Sequence, residues 1–268
     1  NFIPTMGSLH DGHRSLISSA KKNKNINLVS IFVNPLQFNN KQDFNRYPRT
    51  LKSDKKLLKR LDVDILFIPD SNFISKEIYT FFLGGLSEKL CGKDRKGHFE
   101  GVATIILKFL VLINPDFIFL GEKDFQQVLI IKKIINDFLF RTKVEIMPTV
   151  RNQSNIALSS RNQLIKENIF LLDLIPKTLM QIANEIEGGN FFFSRILYFK
   201  KLIRKEGVEK VNYLEILKEK DLSDLSFKYS RCRIFISVTI EKVRFIDNVL
   251  IRKDIRLCKK ERLIEISS

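Results

Sequence analysis

The sequence predicts an α/β protein: a parallel sheet with helices on both faces, followed by a smaller C-terminal α+β domain. Three observations lead there. Short β-rich apolar runs alternate with helical patterns through the first half, at strand–helix–strand spacing. The polar turns that bear Gly or Pro fall at the ends of those runs. After Pro148 the alternation gives way to helical stretches and then to three strands in succession. The 268 residues suffice for one large domain or two ordinary ones. An apolar content of 44% suits a packed core.

In chain order, strands are expected over residues 2–4, 28–33, 65–69, 117–120 and 144–147. Helices are expected over 12–23, 51–61, 102–113 and 125–138, so residues 1–148 form the first domain. Residues 151–162 read as a polar loop, with a hinge over 147–151. The second domain, residues 149–268, is expected to act as a lid. It begins with helical stretches over 166–187 and 195–206, separated by Gly188-Gly189. Strands over 211–217, 233–239 and 244–247 complete it. The charged tail after Val249 is expected to be partly disordered. The chain opens at Asn1 already inside a strand, so a preceding N-terminal segment is expected.

Several classes are disfavoured. No apolar run reaches the ~18 residues of a membrane span, and no signal peptide is visible. The three cysteines, Cys91, Cys232 and Cys258, show no CxxC spacing; their odd count argues against a disulfide framework and for a cytoplasmic setting. The net charge of +16 invites a nucleic-acid reading. However, the basic residues are scattered and the aromatic residues sit in core-like runs, not interleaved with charge as stacking platforms. The excess of Lys, Asn, Ile and Phe, with no Trp, is what A/T-rich codons would produce. Neither a dinucleotide fingerprint nor a P-loop follows any strand. No nucleophile elbow and no zinc spacing is present.

The most informative stretch is Pro4-Thr5-Met6-Gly7-Ser8-Leu9-His10-Asp11-Gly12-His13. It carries two of the chain's three histidines, between a strand and a helix. A helix N-terminus offers unpaired N–H groups and partial positive charge to a phosphate, and imidazole N–H donors add hydrogen bonds that strengthen as charge builds. The competing reading is a pair of surface or capping histidines.

Four more constellations are candidates. Lys123, within Gly121-Glu122-Lys123-Asp124, presents a compact cation at a strand end, suited to a polyphosphate; a plain charged loop is the alternative. Leu158-Ser159-Ser160-Arg161-Asn162 offers hydroxyls and a guanidinium to phosphates, or else a helix cap. Gln37 and Gln127 are neutral amides able to hold a hydroxy acid. Gly97-His98-Phe99-Glu100-Gly101 reads as a tight loop before a helix, with His98 structural.

Taken in series, these stretches resemble the pantoate–β-alanine ligase (pantothenate synthetase) family of the H-x-G-H nucleotidyltransferases. The matching segments are residues 4–13, 30–38 (SIFVNPLQF), 46–50 (RYPRT), 97–102 (GHFEGV), 121–127 (GEKDFQQ), 158–162 (LSSRN) and 245–248 (FIDN). H-x-G-H alone marks only the superfamily; NPLQF, GEKDFQQ and LSSRN in order are specific to the ligases. The resemblance implies a Rossmann-like first domain and a two-step reaction. Pantoate attacks the α-phosphorus of ATP to give pantoyl adenylate and pyrophosphate. The amine of β-alanine then displaces AMP.

By matched position, Met6, Gly7, Ser8, Leu9, His10, Asp11, Gly12 and His13 would line the ATP site, as would Gly121, Glu122, Lys123 and Asp124. His13 stands where the family's proton donor is usually assigned and is read here as a hydrogen-bond donor to phosphate. Val150 and Leu158 would border the nucleotide, with Ser159, Ser160 and Arg161 on its polyphosphate. Gln37 and Gln127 would hold pantoate, Gln37 also lying near β-alanine. Magnesium with ATP, a cytoplasmic location and a homodimer through the first domain are implied too.

The chain departs from the family in a few places. The family's first helix and most of its first strand precede Asn1. Ser154-Asn155 replaces a usual Asp-Gly, where Asn tolerates the left-handed conformation. Arg95-Lys96 replaces Arg-Pro, and the segment between Asp70 and Gly84 looks shortened. The alternatives to the ligase are another H-x-G-H adenylyltransferase acting on a small molecule, or a basic nucleic-acid-binding protein.

Overall fold

The computed structural model describes residues 1–74, 83–189, 191–226, 230–257 and 264–266. The chain divides into two compact units. One comprises Asn1–Arg151 with Leu158–Ser160, the other Asn152–Ala157 with Arg161–Ser268.

The first unit runs β1 (Phe2–Thr5), α1 (Asp11–Ala20), β2 (Leu28–Ile31), α2 (Lys41–Arg46), α3 (Leu51–Arg60), β3 (Ile65–Phe67), α4 (Leu90–Asp94), α5 (His98–Ile113), β4 (Phe117–Gly121), α6 (Phe125–Asp137) and β5 (Lys143–Met147). The five strands are parallel, in the order β3-β2-β1-β4-β5. Alternate residues of the central strand point to opposite faces, and both faces are covered. Ile3 packs with Leu16, Ile17 and Ala20 of α1 and Leu58 of α3. Phe2 meets Phe109 of α5 edge-on, with centroids 5.3 Å apart. The order reverses direction between β1 and β4, so their following loops diverge around a crevice at the carboxyl edge of the sheet.

The strand and helix expectations hold to within a few residues, with two informative differences. The first concerns Gly97 to Gly101, read as a loop but forming the start of α5. Gly97 makes the turn with φ +83°. Gly101 lies in the first helical turn, where a Cβ would come within 2.4 Å of the Leu36 carbonyl. The helix therefore begins at His98, four residues before the apolar run announces it.

The second unit contains α7 (Leu174–Glu187), α8 (Ser194–Lys205), and the strands β6 (Lys210–Lys218), β7 (Cys232–Ile240) and β8 (Val243–Leu250). These pair antiparallel in the order β6-β7-β8. Ile234, Ile236, Val238 and Ile240 alternate along β7 and pack with Ile182, Ile186, Phe199 and Ile203 of the helices. The short β9 (Ile255–Leu257) and β10 (Ile264–Ile266) form an antiparallel ribbon in the charged tail. Cys91 and Cys232 are both buried; Cys258, like most of the stretch between Asp70 and Gly84 that reads as shortened, lies outside the described residues.

The second difference is the helix expected over residues 166–187, which begins only at Leu174. Pro176, in the first turn of α7, has no N–H to extend the helix backward, and Glu241 holds the first residues of the segment in another conformation. In the β7–β8 turn Glu241 and Lys242 both have positive φ, 48° and 62°, the signature of a two-residue hairpin turn. From there the Glu241 carboxylate accepts the backbone N–H groups of Lys166, Glu167 and Asn168 at 3.1, 3.0 and 2.7 Å. Those bonds hold the segment as a cap before a short 3₁₀ turn, Ile169–Asp173.

The Asn168 N–H leads the interactions that hold the Glu241 carboxyl below its ordinary pKa of 4.5. A depressed carboxylate stabilises the fold above its unfolded pKa and loses that contribution as pH falls through the folded one. Glu241→Gln should therefore lower the melting temperature at about pH 7 and have a smaller effect at about pH 3. Thermal scans at the two pH values check this; an equal shift at both would contradict it.

Candidate adenylation site

The site is built outward from the end of β1. Thr5 Oγ1 donates to Ser30 O at 2.7 Å and accepts Gly7 N–H at 3.2 Å, which starts the turn. Gly7 and Ser8 follow with φ of +79° and 51°. Two left-handed residues in succession aim consecutive amides in one direction, and they meet Asp54 of α3. Its carboxylate, only 3% exposed, accepts Ser8 N–H and Leu9 N–H, each at 2.9 Å, and the Thr50 hydroxyl at 3.1 Å. Asp54 thus satisfies the loop's buried donors and fixes its path.

The loop delivers His10 to the N-cap of α1. His10 Nδ1 accepts Gly12 N–H at 3.1 Å, and His13 Nδ1 accepts the His10 N–H at 3.2 Å. This is a reciprocal capping box made of two histidines. It explains the motif's spacing. His13 must stand at the third helical position to reach back, and position 12 must lack a side chain, since a Cβ there would lie 2.8 Å from His10 Cε1. Asp11, between them, is exposed and pairs with Arg14 at 3.0 Å.

The capping bonds decide the chemistry of the rings. A nitrogen that accepts a backbone N–H carries no proton, so each neutral ring carries its hydrogen on Nε2. The rings lie 4.2 Å apart between centroids. Burial, reinforced by Lys123, pushes the pKa of His10 down to about 4. Burial, then His10 and Lys123, pushes that of His13 down to about 3. Both rings are therefore neutral Nε2–H donors at physiological pH.

Lys123 lies on the neighbouring strand's loop. β4 pairs with β1 and ends at Gly121; Glu122, Lys123 and Asp124 form a 3₁₀ turn before α6. Lys123 Nζ lies 3.2 Å from Asp124 Oδ1, with the lysine side chain largely covered. Two further segments reach the same unit. Leu158 N–H bonds to Val150 O at 3.0 Å, and the buried Ser160 donates its hydroxyl to Ser8 O at 2.9 Å. Ser159 belongs to this unit, whereas Arg161 belongs to the second. In the second unit, Asn155 takes the left-handed conformation expected of it, with φ 63°.

Gln37 follows β2 and is oriented by a chain of amides. Asn34, 1% exposed, accepts Leu36 N–H through Oδ1 at 3.1 Å. Its Nδ2 must then face the other way, donating to Gly101 O at 3.0 Å and Gln37 Oε1 at 3.2 Å. Gln37 therefore turns its oxygen to Asn34 and its Nε2 toward Met6 Sδ. Gln127 stands half-buried in the first turn of α6. Its neighbour Gln126 is buried and structural. It accepts Cys91 N–H at 3.0 Å and donates to Leu86 O and Lys89 O at 2.8 and 2.7 Å.

With this geometry in place, the comparisons with known proteins become specific. The family model described as Pantoate-beta-alanine ligase matches residues 1–250. The chain belongs to the pantoate–β-alanine ligase family. It is 39% identical over 258 residues to the pantothenate synthetase of Methylococcus capsulatus, covering 94% of this chain and 90% of that protein. The crystal structure of pantothenate synthetase from Thermus thermophilus superposes with a TM-score of 0.88 at 32% identity, covering 93% of this chain and 92% of that one. The Francisella tularensis pantoate-beta-alanine ligase, complexed with Beta-gamma ATP and Beta-alanine, matches with a TM-score of 0.76 at 38% identity. That alignment covers 93% of this chain and 88% of the Francisella protein. This family member is an AMP-forming ligase that uses ATP to join pantoate to β-alanine through a pantoyl adenylate.

The motifs that carry the resemblance never pointed to Asp54. Asp54→Asn sets an amide –NH₂ against backbone N–H groups and removes an acceptor. It should cost about 2 kcal/mol of stability and slow adenylation at least tenfold. Denaturant titration and single-turnover kinetics check both, and an unchanged adenylation rate in the folded variant would contradict the bracing role.

Proposed function

We propose that the loops at the carboxyl edge of β1, β2 and β4 carry out the adenylation step, with His10 and His13 as paired neutral donors to the phosphates of ATP. The observation that carries this reading is the histidine capping box. It leaves both Nε2–H groups fixed beside Lys123, without a proton to gain or lose at neutral pH. Attack of a carboxylate on the α-phosphorus develops charge on phosphate oxygens and the leaving pyrophosphate. Oriented donors and a fixed cation oppose that charge without reorganising. Proximity supplies most of the rest, because the reaction needs two anions held in line.

In this assignment Met6, Gly7, Ser8, Leu9, Asp11 and Gly12 line the nucleotide site with the two histidines. Gly121, Glu122, Lys123 and Asp124 form its second wall, with Lys123 on the phosphates. Val150 and Leu158 border the nucleotide, and Ser159, Ser160 and Arg161 take the polyphosphate. Gln37 and Gln127 hold pantoate, and Gln37 also lies near the β-alanine position. The first domain, residues 1–148, binds ATP and pantoate, and residues 149–268 act as its lid.

Among the described residues no group of three or more His, Cys, Asp or Glu side chains is placed to hold a metal. Magnesium is assigned to the nucleotide, as the MgATP substrate whose own phosphates and waters supply most ligands. A homodimer through the first domain and a cytoplasmic location complete the reading. Among the described residues no helix is long and apolar enough to cross a membrane.

Exchange of labelled pyrophosphate into ATP tests the assignment. Exchange should require pantoate and not β-alanine. Lys123→Ala should slow it about a thousandfold, with the melting temperature little changed. Pantoate-independent exchange, or wild-type exchange in the variant, would overturn it.

A further inference from the structure

The third histidine has a role that the adenylation chemistry does not absorb. His98 is 8% exposed, at the first position of α5. Its Nδ1 lies 2.7 Å from Gln37 O, an atom that can only accept. Its Nε2 lies 3.1 Å from Arg95 Nη1, which can only donate. One form of the ring satisfies both, the neutral ring with its hydrogen on Nδ1. Arg95 also donates from Nη2 to the same Gln37 carbonyl at 3.1 Å. The main chain of Gln37 is therefore gripped by two donors, Arg95 at the end of α4 and His98 at the start of α5, and Arg95 also donates to the His98 ring.

The other end of this contact is equally constrained. Gly101 has no Cβ because one would sit 2.7 Å from Gln37 N, so α5 packs directly on the backbone at Leu36 and Gln37. The Gln37 amide is turned by Asn34, whose own orientation is set by Leu36 N–H and Gly101 O. Main chain and side chain of Gln37 are thus both placed by the G-H-F-E-G segment, although more than sixty residues separate them.

We propose that His98 and Arg95 are positioning residues for the hydroxy-acid subsite. They fix the backbone from which Gln37 meets its substrate and act on that substrate only through Gln37. The inference rests on the assignment of Gln37 to pantoate. It predicts a selective defect, in which the pantoate KM moves while the ATP KM does not. A group that merely stabilised the domain would move both or neither.

The test measures pyrophosphate exchange, with KM for each substrate, in His98→Ala, His98→Asn, Gln37→Ala and the double variant His98→Ala/Gln37→Ala. Asparagine places an amide N–H near the position of Nδ1. The expected result is a rise of roughly tenfold in pantoate KM for His98→Ala, with ATP KM unchanged and most of the defect recovered in His98→Asn. In the Gln37→Ala background the second substitution should add little. If His98→Ala does not fold, Arg95→Met, which keeps the apolar stem and removes the second donor to the same carbonyl, gives the same reading. A wild-type pantoate KM in a folded His98 or Arg95 variant would overturn the proposal. So would equal rises in both KM values, or a His98 effect that persists in full without the Gln37 side chain. If Gln37→Ala alone leaves pantoate KM unchanged, the assignment of Gln37 fails, and the positioning proposal falls with it.

Discussion

The structure depends on two imidazoles used as helix caps. A helix start has backbone N–H groups with no partner inside the helix, and here ring nitrogens satisfy two of them. The usual capping residue contributes a small hydroxyl or carboxylate. A ring is larger and must be accommodated. Gly12 gives up its side chain to the His10 ring. Gly7 and Ser8 turn left-handed so that the loop arrives at the required angle. Asp54 is buried beneath the loop to receive the amides that this turn exposes. The central strand, flanked by helices on both faces, gives that loop a rigid base.

The chemical consequence is a division of labour within each ring. Nδ1 is committed to the backbone, so Nε2 alone faces outward with its hydrogen. Burial and the nearby ammonium of Lys123 remove the option of a second proton. A ring that cannot titrate is a poor acid or base but a steady dipole, and that suits a step whose difficulty is charge on phosphate. His98 makes the complementary choice. Its Nδ1 donates and its Nε2 accepts, so it faces the protein on both sides. Three histidines in one unit thus adopt two tautomers, each set by whether the neighbouring backbone atom is an amide or a carbonyl.

Much of this was legible in the sequence. The strands appear as apolar runs because both faces of the parallel sheet are covered, and the loops at its carboxyl edge carry the distinctive motifs. The start of α5 was not legible, since Gly97 and Gly101 read as loop residues until the packing of Gly101 on Leu36 is seen. Asp54 was hidden among Lys52, Lys55 and Lys56, in what looks like a solvated face. Its signal was periodicity: it precedes the buried Leu58 by one helical repeat. Gln126 stands in the same relation to Ile130. The delayed start of α7 had one local signal, Pro176 in its first turn, whereas the hold of Glu241 on residues 166–168, from more than seventy residues away, is a contact that local patterning does not encode.

The tautomers are the most direct measure of the account. With only three histidines in the chain, a long-range proton–nitrogen correlation spectrum of histidine-labelled protein resolves each ring. The expected spectrum shows two rings protonated at Nε2 and one at Nδ1, with neither member of the Nε2–H pair titrating between about pH 5 and 8. A Nδ1–H signal from His10 or His13, or a titration of either near the ordinary histidine value, would contradict it.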